Sequence, residues 1–225
     1  MVHEHFVHKI PDGMPLDKAA PILCAGITMW SPLEHWGATV PGGKKMNIGI
    51  VGVGGLGTMG IKLAATLGHR VVAISTCSSK EELAREKGAQ GFVVSNDPES
   101  VSKEQKKLHL ILNTVSAHHS INPYLEMLAT NGVLVQLGCV GSAPMMYDQD
   151  TLMFRRLSVA SSLIGGIPAT QTLLQFCKSH DIYPDIEVVT ADQLGKVYNN
   201  LQQRSNSHAS RYVLDVKKSL GSITS

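Results

Sequence analysis

The sequence predicts an α/β protein built on a parallel sheet wound with helices on both faces, and three observations carry that expectation. Short apolar runs alternate with helical stretches from residue 46 to residue 166, the rhythm of strands joined by crossover helices. The first run passes directly into a glycine-rich turn, Gly52-Val53-Gly54-Gly55-Leu56-Gly57, that opens a helix. Thr114, Gly138 and the segment Ser162, Leu163 and Ile164 then fall at the ends of later runs, on the edge where open α/β sheets place their ligands.

Taken in order, residues 4–10 alternate weakly and suggest a strand with His3 and His5 on one face, a surface pair lacking a third metal ligand. Pro11-Asp12-Gly13 is a turn. Residues 16–36 read as one or two helices starting near Asp17, with Trp30 and Trp36 as an aromatic pair buried at a domain or subunit contact. After the turn at Pro41-Gly42-Gly43 come the first strand (46–51), its helix (to 67) and a second strand (71–74) ending in Ser75-Thr76-Cys77-Ser78-Ser79-Lys80. A helix over 81–87 is ended by Gly88. Residues 91–94 form the third strand, 97–107 a polar surface helix, 108–113 the fourth strand, 121–128 a helix and 132–137 the fifth strand, stopped by Gly138. A short helix over 148–156 leads to a sixth strand over 159–164, closed by Gly165-Gly166. Beyond it lie a helix (169–179), a strand (186–189), a helix (191–202), a last strand (211–216) and a loose polar tail (217–225).

The glycine turn has a specific chemistry. Gly52 permits the tight turn, Gly54 lets the backbone approach a pyrophosphate, and Gly57 lets the helix lie close on the strand. The free N–H groups of the helix start, together with its dipole, face the phosphates. Strand, turn, helix and strand in this order predict a Rossmann unit that binds a dinucleotide. An NAD enzyme usually carries an acidic residue at the end of the second strand, for the ribose 2′-hydroxyl. Here Ser75, Thr76 and Lys80 stand in that place, and hydroxyls with an ammonium suit a 2′-phosphate. The expectation is NADP over NAD. The missing carboxylate also argues against an S-adenosylmethionine fold.

Bulk properties exclude other classes. A length of 225 residues with 43% hydrophobic content holds one large domain, or one domain and part of another. A formal charge of +2, with Lys and Arg never in runs longer than a pair, leaves no footprint for nucleic acid or a membrane surface. Cys24, Cys77, Cys139 and Cys177 are far apart with no CxxC, which suits reduced thiols. With no signal peptide and no run long enough to span a bilayer, the expected location is the cytoplasm. His118-His119 reads as a solvated turn near the cofactor edge.

Several stretches together resemble one family. Pro21-Ile22-Leu23-Cys24-Ala25-Gly26-Ile27-Thr28 is similar to the PLLCAGIT motif of the cinnamyl alcohol dehydrogenase group, zinc-dependent medium-chain dehydrogenases that use NADP. The Gly52–Gly57 turn, with Gly55 and Leu56 between, resembles its GxGGLG. The serine-rich loop up to Lys80, Ser162-Leu163-Ile164-Gly165 and Phe176-Cys177-Lys178-Ser179-His180 match in order. The resemblance implies hydride transfer between NADP and a primary alcohol or aldehyde, with Cys24 and Thr28 as catalytic residues. It implies Cys24 as a zinc ligand, Thr28 and Ser162, Leu163 and Ile164 beside the nicotinamide, and Ser75, Thr76 and Lys80 on the 2′-phosphate. It also implies Thr114 near the ribose or pyrophosphate, and a homodimer through the sixth strand.

The family's N-terminal GroES-like domain, with its Gly-His-Glu and clustered cysteines, is not in this sequence, and no cysteine precedes Cys24. Residues 207–215 keep the family pattern only at Arg211 and the hydrophobic run after it, Ser161 replaces a usual glycine and Cys77 a usual serine. The division expected is 1–24 as a remnant of the catalytic domain and linker, 25–166 as the NADP-binding domain, and 167–225 as segments returning to the catalytic domain. One thiolate cannot hold Zn²⁺ in a tetrahedral site, so little dehydrogenase activity is expected from this length of chain. Two other readings stand beside it: a module that binds or senses NADP without catalysis, and a zinc-free reductase of the wider superfamily.

Overall fold

The computed structural model describes residues 1–139, 141, 145–202 and 211–221. In chain order its elements are α1 (Leu16–Pro21), α2 (Ile27–His35), β1 (Asn47–Val51), α3 (Gly55–Thr66), β2 (Arg70–Ser75), α4 (Glu81–Glu86) and β3 (Gly91–Val94). There follow α5 (Pro98–Ser102), β4 (Leu108–Asn113), α6 (Asn122–Met127), β5 (Leu128–Gln136), α7 (Gln149–Arg155), β6 (Ser158–Ser161) and α8 (Ile167–His180). The chain continues through β7 (Ile186–Val189), α9 (Leu194–Gln202), β8 (Arg211–Leu214) and α10 (Val216–Gly221).

Six strands form one parallel sheet in the order β3-β2-β1-β4-β5-β6. The expected doubly wound architecture is therefore present. Ile48, Ile50, Val51, Leu110, Ile111 and Leu112 are all buried, as expected of strands covered on both faces. One apolar cluster joins the sheet to α2, α3 and α8 through Met29, Leu33, Met59, Ile61 and Leu173. The other covers the opposite face with Leu125, Met127 and Leu128 around Ile74 and Ile111. The chain enters the sheet centrally at β1, goes outward to β3, and returns to β4 on the other side of β1. That reversal opens a crevice at the carboxyl ends of β1 and β4.

The structure departs from the sequence reading in several places. Residues 4–10 form no strand: Glu4–Phe6 is a 3-10 turn capped by His3, whose Nδ1 accepts the His5 N–H. Local hydrogen bonds hold the 3-10 turn, and the Lys9 N–H and C=O pair with the Gln171 side chain of α8 at 3.2 and 2.9 Å. Trp30 and Trp36 do not pair. Six positions along a helix differ by about 120° in direction, so Trp30 packs on Phe176 of α8 with ring centroids 4.9 Å apart, while Trp36 meets His35.

Between α1 and α2, Ile22–Gly26 is wound as a π-helix. The helix expected over 97–107 stops at Ser102, and Lys106 takes a left-handed φ of 58° on the way into β4. The sixth strand ends at Ser161, opposite Gln136, because its neighbour β5 ends there; Ser162, Leu163 and Ile164 lie beyond it. β7 and β8 pair in parallel as a separate two-stranded sheet. The tail is helical to Gly221. Residues 222–225 and 207–210 lie outside the described residues, so the departures noted at 207–210 are not placed.

Candidate functional site

The crevice is built by the turn after β1. Gly52 has φ of +94°, and a Cβ there would fall 2.6 Å from Thr114 Oγ1. A Cβ at Gly57 would fall 1.8 Å from the Gly52 carbonyl oxygen, so no side chain fits between the helix start and the turn. Gly54, the N-cap of α3, is different: its backbone is extended, and a Cβ would meet nothing within 4 Å. The peptide at Gly54 therefore faces open space. No side chain caps α3, and its first turn holds no acidic residue. The leading N–H groups (Gly55, Leu56, Gly57) have no intrahelical acceptor by construction, and the helix dipole adds positive potential there. Thr58 secures the start, its N–H and its hydroxyl both donating to Gly54 O at 2.8 and 3.0 Å.

The opposite wall comes from the ends of β4 and β5. Thr114 ties to β1 twice, its N–H and its hydroxyl donating to Val51 O at 3.0 and 2.7 Å. Its neighbour Asn113 is fully buried. The Asn113 side-chain amide donates to Gln136 Oε1 at 2.7 Å and to His119 Nε2 at 2.9 Å, and its carbonyl accepts the Val115 N–H. His119 Nδ1 lies 2.6 Å from Ala117 O, so the proton sits on Nδ1 and Nε2 is left to accept. The Gln136 amide then donates to Gly138 O at 2.8 Å, while the Gly138 N–H donates to Asn113 O. This network holds the loops after β4 and β5 together beside the crevice.

Sequence reading missed Asn113 and Gln136. The available signal was a polar residue closing each of two apolar runs. His118 is exposed as expected, but His119 is half-buried and belongs to the network.

At the end of β2, Ser75 is half-buried and Thr76 exposed. Ser75 Oγ accepts the Cys77 N–H, and the Lys80 N–H donates to Cys77 O, which curls the loop. Lys80 follows within one turn. Hydrogen bonding from Ser79, and the nearby Lys80 ammonium, hold the Cys77 thiol below its ordinary pKa. Burial pushes the Cys177 thiol the other way, to about 12. That thiol is part of the core beneath α8, in the cluster that holds Ile22, Ile27 and Trp30.

Thr28 is buried, and its hydroxyl donates to Cys24 O at 2.7 Å; an oxygen lone pair is left to accept. Ser162 donates its N–H to Gln136 O, whereas the Leu163 and Ile164 side chains are exposed. Gly165 then lies close to Ile27 and Ser31 of α2, so the segment after β6 rests on the helix carrying Thr28.

Cys24 is exposed on the π-helix. It lines a cavity of about 390 Å³ with Ala20, Pro21 and the strand Arg211–Leu214. Within the described residues, no group of three or more His, Cys, Asp or Glu could hold a metal. Cys24 alone does not fit a zinc centre, which needs about four ligands. For a dinucleotide the fit is better, because the turn leaves open space at Gly54 and presents unsatisfied N–H groups to it.

The family model described as zinc-binding dehydrogenase matches residues 55–179. NADP-dependent alcohol dehydrogenase C 1 of Mycolicibacterium smegmatis is 41% identical over 215 residues, covering 96% of this chain and 60% of that protein. Among solved structures, a cinnamyl alcohol dehydrogenase of Sorghum bicolor superposes with a TM-score of 0.88 at 35% identity. The CAD of Helicobacter pylori complexed with NADP(H) does so at 0.82 and 33%. Each of these two matches covers 96% of this chain and 60% of the other. The chain thus spans about 60% of the length of the relatives it matches.

Proposed function

We propose, for a chain that belongs to the zinc-binding dehydrogenase family, that it binds NADP in the β1–β4 crevice and supplies the cofactor-binding share of an alcohol dehydrogenase or aldehyde reductase. The observation that carries this reading is the open, uncapped start of α3 at Gly54, one strand away from the carboxylate-free, hydroxyl-rich end of β2. The pyrophosphate lies over the N–H groups of Gly55, Leu56 and Gly57, which Gly52 and Gly54 leave accessible. Ser75, Thr76 and Lys80 take the 2′-phosphate. Thr114 and Gly138 border the ribose next to the nicotinamide, and Thr28 with Ser162, Leu163 and Ile164 borders the nicotinamide itself.

When bound, the cofactor supplies hydride exchange with the carbon of a primary alcohol or aldehyde. The residues of this chain orient the nicotinamide: Thr28 is fixed by its bond to Cys24 O, and the Asn113–Gln136 network holds the neighbouring loops. Cys24 we assign as one zinc ligand by the family resemblance alone; no group of three or more donors stands among the described residues, so no step is routed through a metal. Residues 25–166 form the cofactor domain in this reading, flanked by 1–24 and 167–225 as segments of a catalytic domain. Two copies join through the exposed edge of β6, and the protein works in the cytoplasm. No helix among the described residues is long and apolar enough to cross a membrane.

A second reading, a module that binds NADP without turnover, rests on the lack, among the described residues, of any group of three or more His, Cys, Asp or Glu that could hold a metal with Cys24. Titration with reduced coenzymes tests the shared premise. NADPH is expected to bind more tightly than NADH, and Ser75→Ala with Lys80→Ala to remove the difference. An unchanged preference in that double variant, or no binding by the parent, overturns the assignment.

A further inference from the structure

At the opposite end of the same sheet lies a cavity of about 400 Å³, within the size range of small-molecule sites. Its apolar lining is Met46 just before β1, Leu110 near the start of β4 and Val133 of β5, its register partner, together with the half-buried indole of Trp36. Lys44 and His109 stand at the rim, and no carboxylate is among the residues lining it. Lys44 forms no salt bridge among the described residues. His109 Nδ1 accepts the Asn47 N–H at 2.9 Å, so in the neutral ring the proton is on Nε2, a donor. Burial and the Lys44 charge lower the His109 pKa, which disfavours the charged ring.

We infer that this cavity is a second binding site, separate from the dinucleotide crevice, for a small planar aromatic carboxylate. The ring packs between Trp36 and the Met46–Val133 lining, and the carboxylate takes Lys44 and the His109 Nε2–H. An aromatic side chain, apolar lining and an exposed lysine with no salt bridge among the described residues match that ligand class. The five residues from His109 to Thr114 place the two sites roughly 17 Å apart along β4, too far for one small molecule to touch both.

The test is an NMR titration of the ¹⁵N-labelled 225-residue chain with benzoate, reading the Trp36 indole N–H and the His109 ring. Saturable shifts at both are expected, and NADPH at saturation should leave them in place. Lys44→Ala, a change at an exposed side chain, should weaken benzoate about tenfold, the scale of one charge-assisted hydrogen bond. Neutral benzamide should bind the parent as weakly as benzoate binds that variant. The inference is overturned if benzoate gives no saturable shift, binds Lys44→Ala as well as the parent, is matched by benzamide, or is displaced by NADPH. None of these readouts depends on turnover, and displacement would leave the dinucleotide assignment itself standing.

Discussion

Replacing two glycines of the same turn by alanine should have opposite consequences, one on stability and one on binding. In Gly57→Ala the new methyl would sit 1.8 Å from Gly52 O and 3.0 Å from Gly52 C. Neither is the far end of a flexible side chain. Gly52 is itself held, with φ of +94° and its N–H bonded to Ile74 O at 2.9 Å, so α3 has to lift off the strand. Overpacking costs about 1–3 kcal/mol, and a rigid backbone neighbour puts this case near 3 kcal/mol by the same rule. For a chain of this size that lowers the melting temperature by about 6–12 °C.

Gly54→Ala has an ordinary extended φ of −114° and no atom within 4 Å of the methyl. Its stability should change by no more than about 0.5 kcal/mol. The methyl occupies the space assigned to the pyrophosphate, so NADPH affinity should fall at least about tenfold, or roughly 1.4 kcal/mol. Thermal unfolding followed by circular dichroism, with NADPH fluorescence titration at 15 °C below the melting point, separates the two effects. A Gly57→Ala protein melting within about 2 °C of the parent, or a Gly54→Ala protein binding NADPH like the parent, refutes the reasoning.

Asn113→Leu strips Gln136, His119 and the Val115 N–H of a shared partner; urea unfolding should show a loss of about 2–4 kcal/mol, and a change below about 1 kcal/mol contradicts the network. Asp185 is bridged by Lys62 of α3 and Lys87 beside α4 at 2.9 and 3.1 Å. Burial would raise its pKa, but hydrogen bonds from the two lysines outweigh that and lower it. A carboxylate lowered in the folded state adds stability above its unfolded pKa of about 4, lost as pH falls through the folded value. Asp185→Asn should therefore lower the melting temperature at pH 7 and flatten its decline below pH 4; an equally steep decline argues against the bridge. Iodoacetamide at pH 7.5 should label Cys77 well before the buried Cys177, as read by peptide mass spectrometry; equal labelling would show that the core under α8 is open.

Much of this architecture is written locally. Buried parallel strands are continuous apolar runs, so Gly91–Val94 and Leu108–Asn113 have their limits in the residues themselves. The turn from Gly52 to Gly57 is legible because its glycines stand at fixed spacing directly after an apolar run and before a helix, and so is the missing carboxylate at the end of β2.

Features depending on distant partners are not legible in that way. The Asn113–Gln136 bond spans 23 positions and needs the β4–β5 register. Trp30 finds Phe176 only once α8 packs on α2. β7 and β8 pair in parallel across α9. Residues 4–10 alternate like a strand, yet their backbone is taken up by a 3-10 turn and by the Gln171 side chain of α8. The cavity between Trp36, His109 and Val133 brings together three segments that no spacing connects. By itself the sequence determined the class of sheet and the phosphate-binding turn, because both follow from short-range sterics and burial. Which buried amides meet at the crevice, and where the far end of the sheet opens, only tertiary structure decided, because those contacts form between segments whose positions are set by packing.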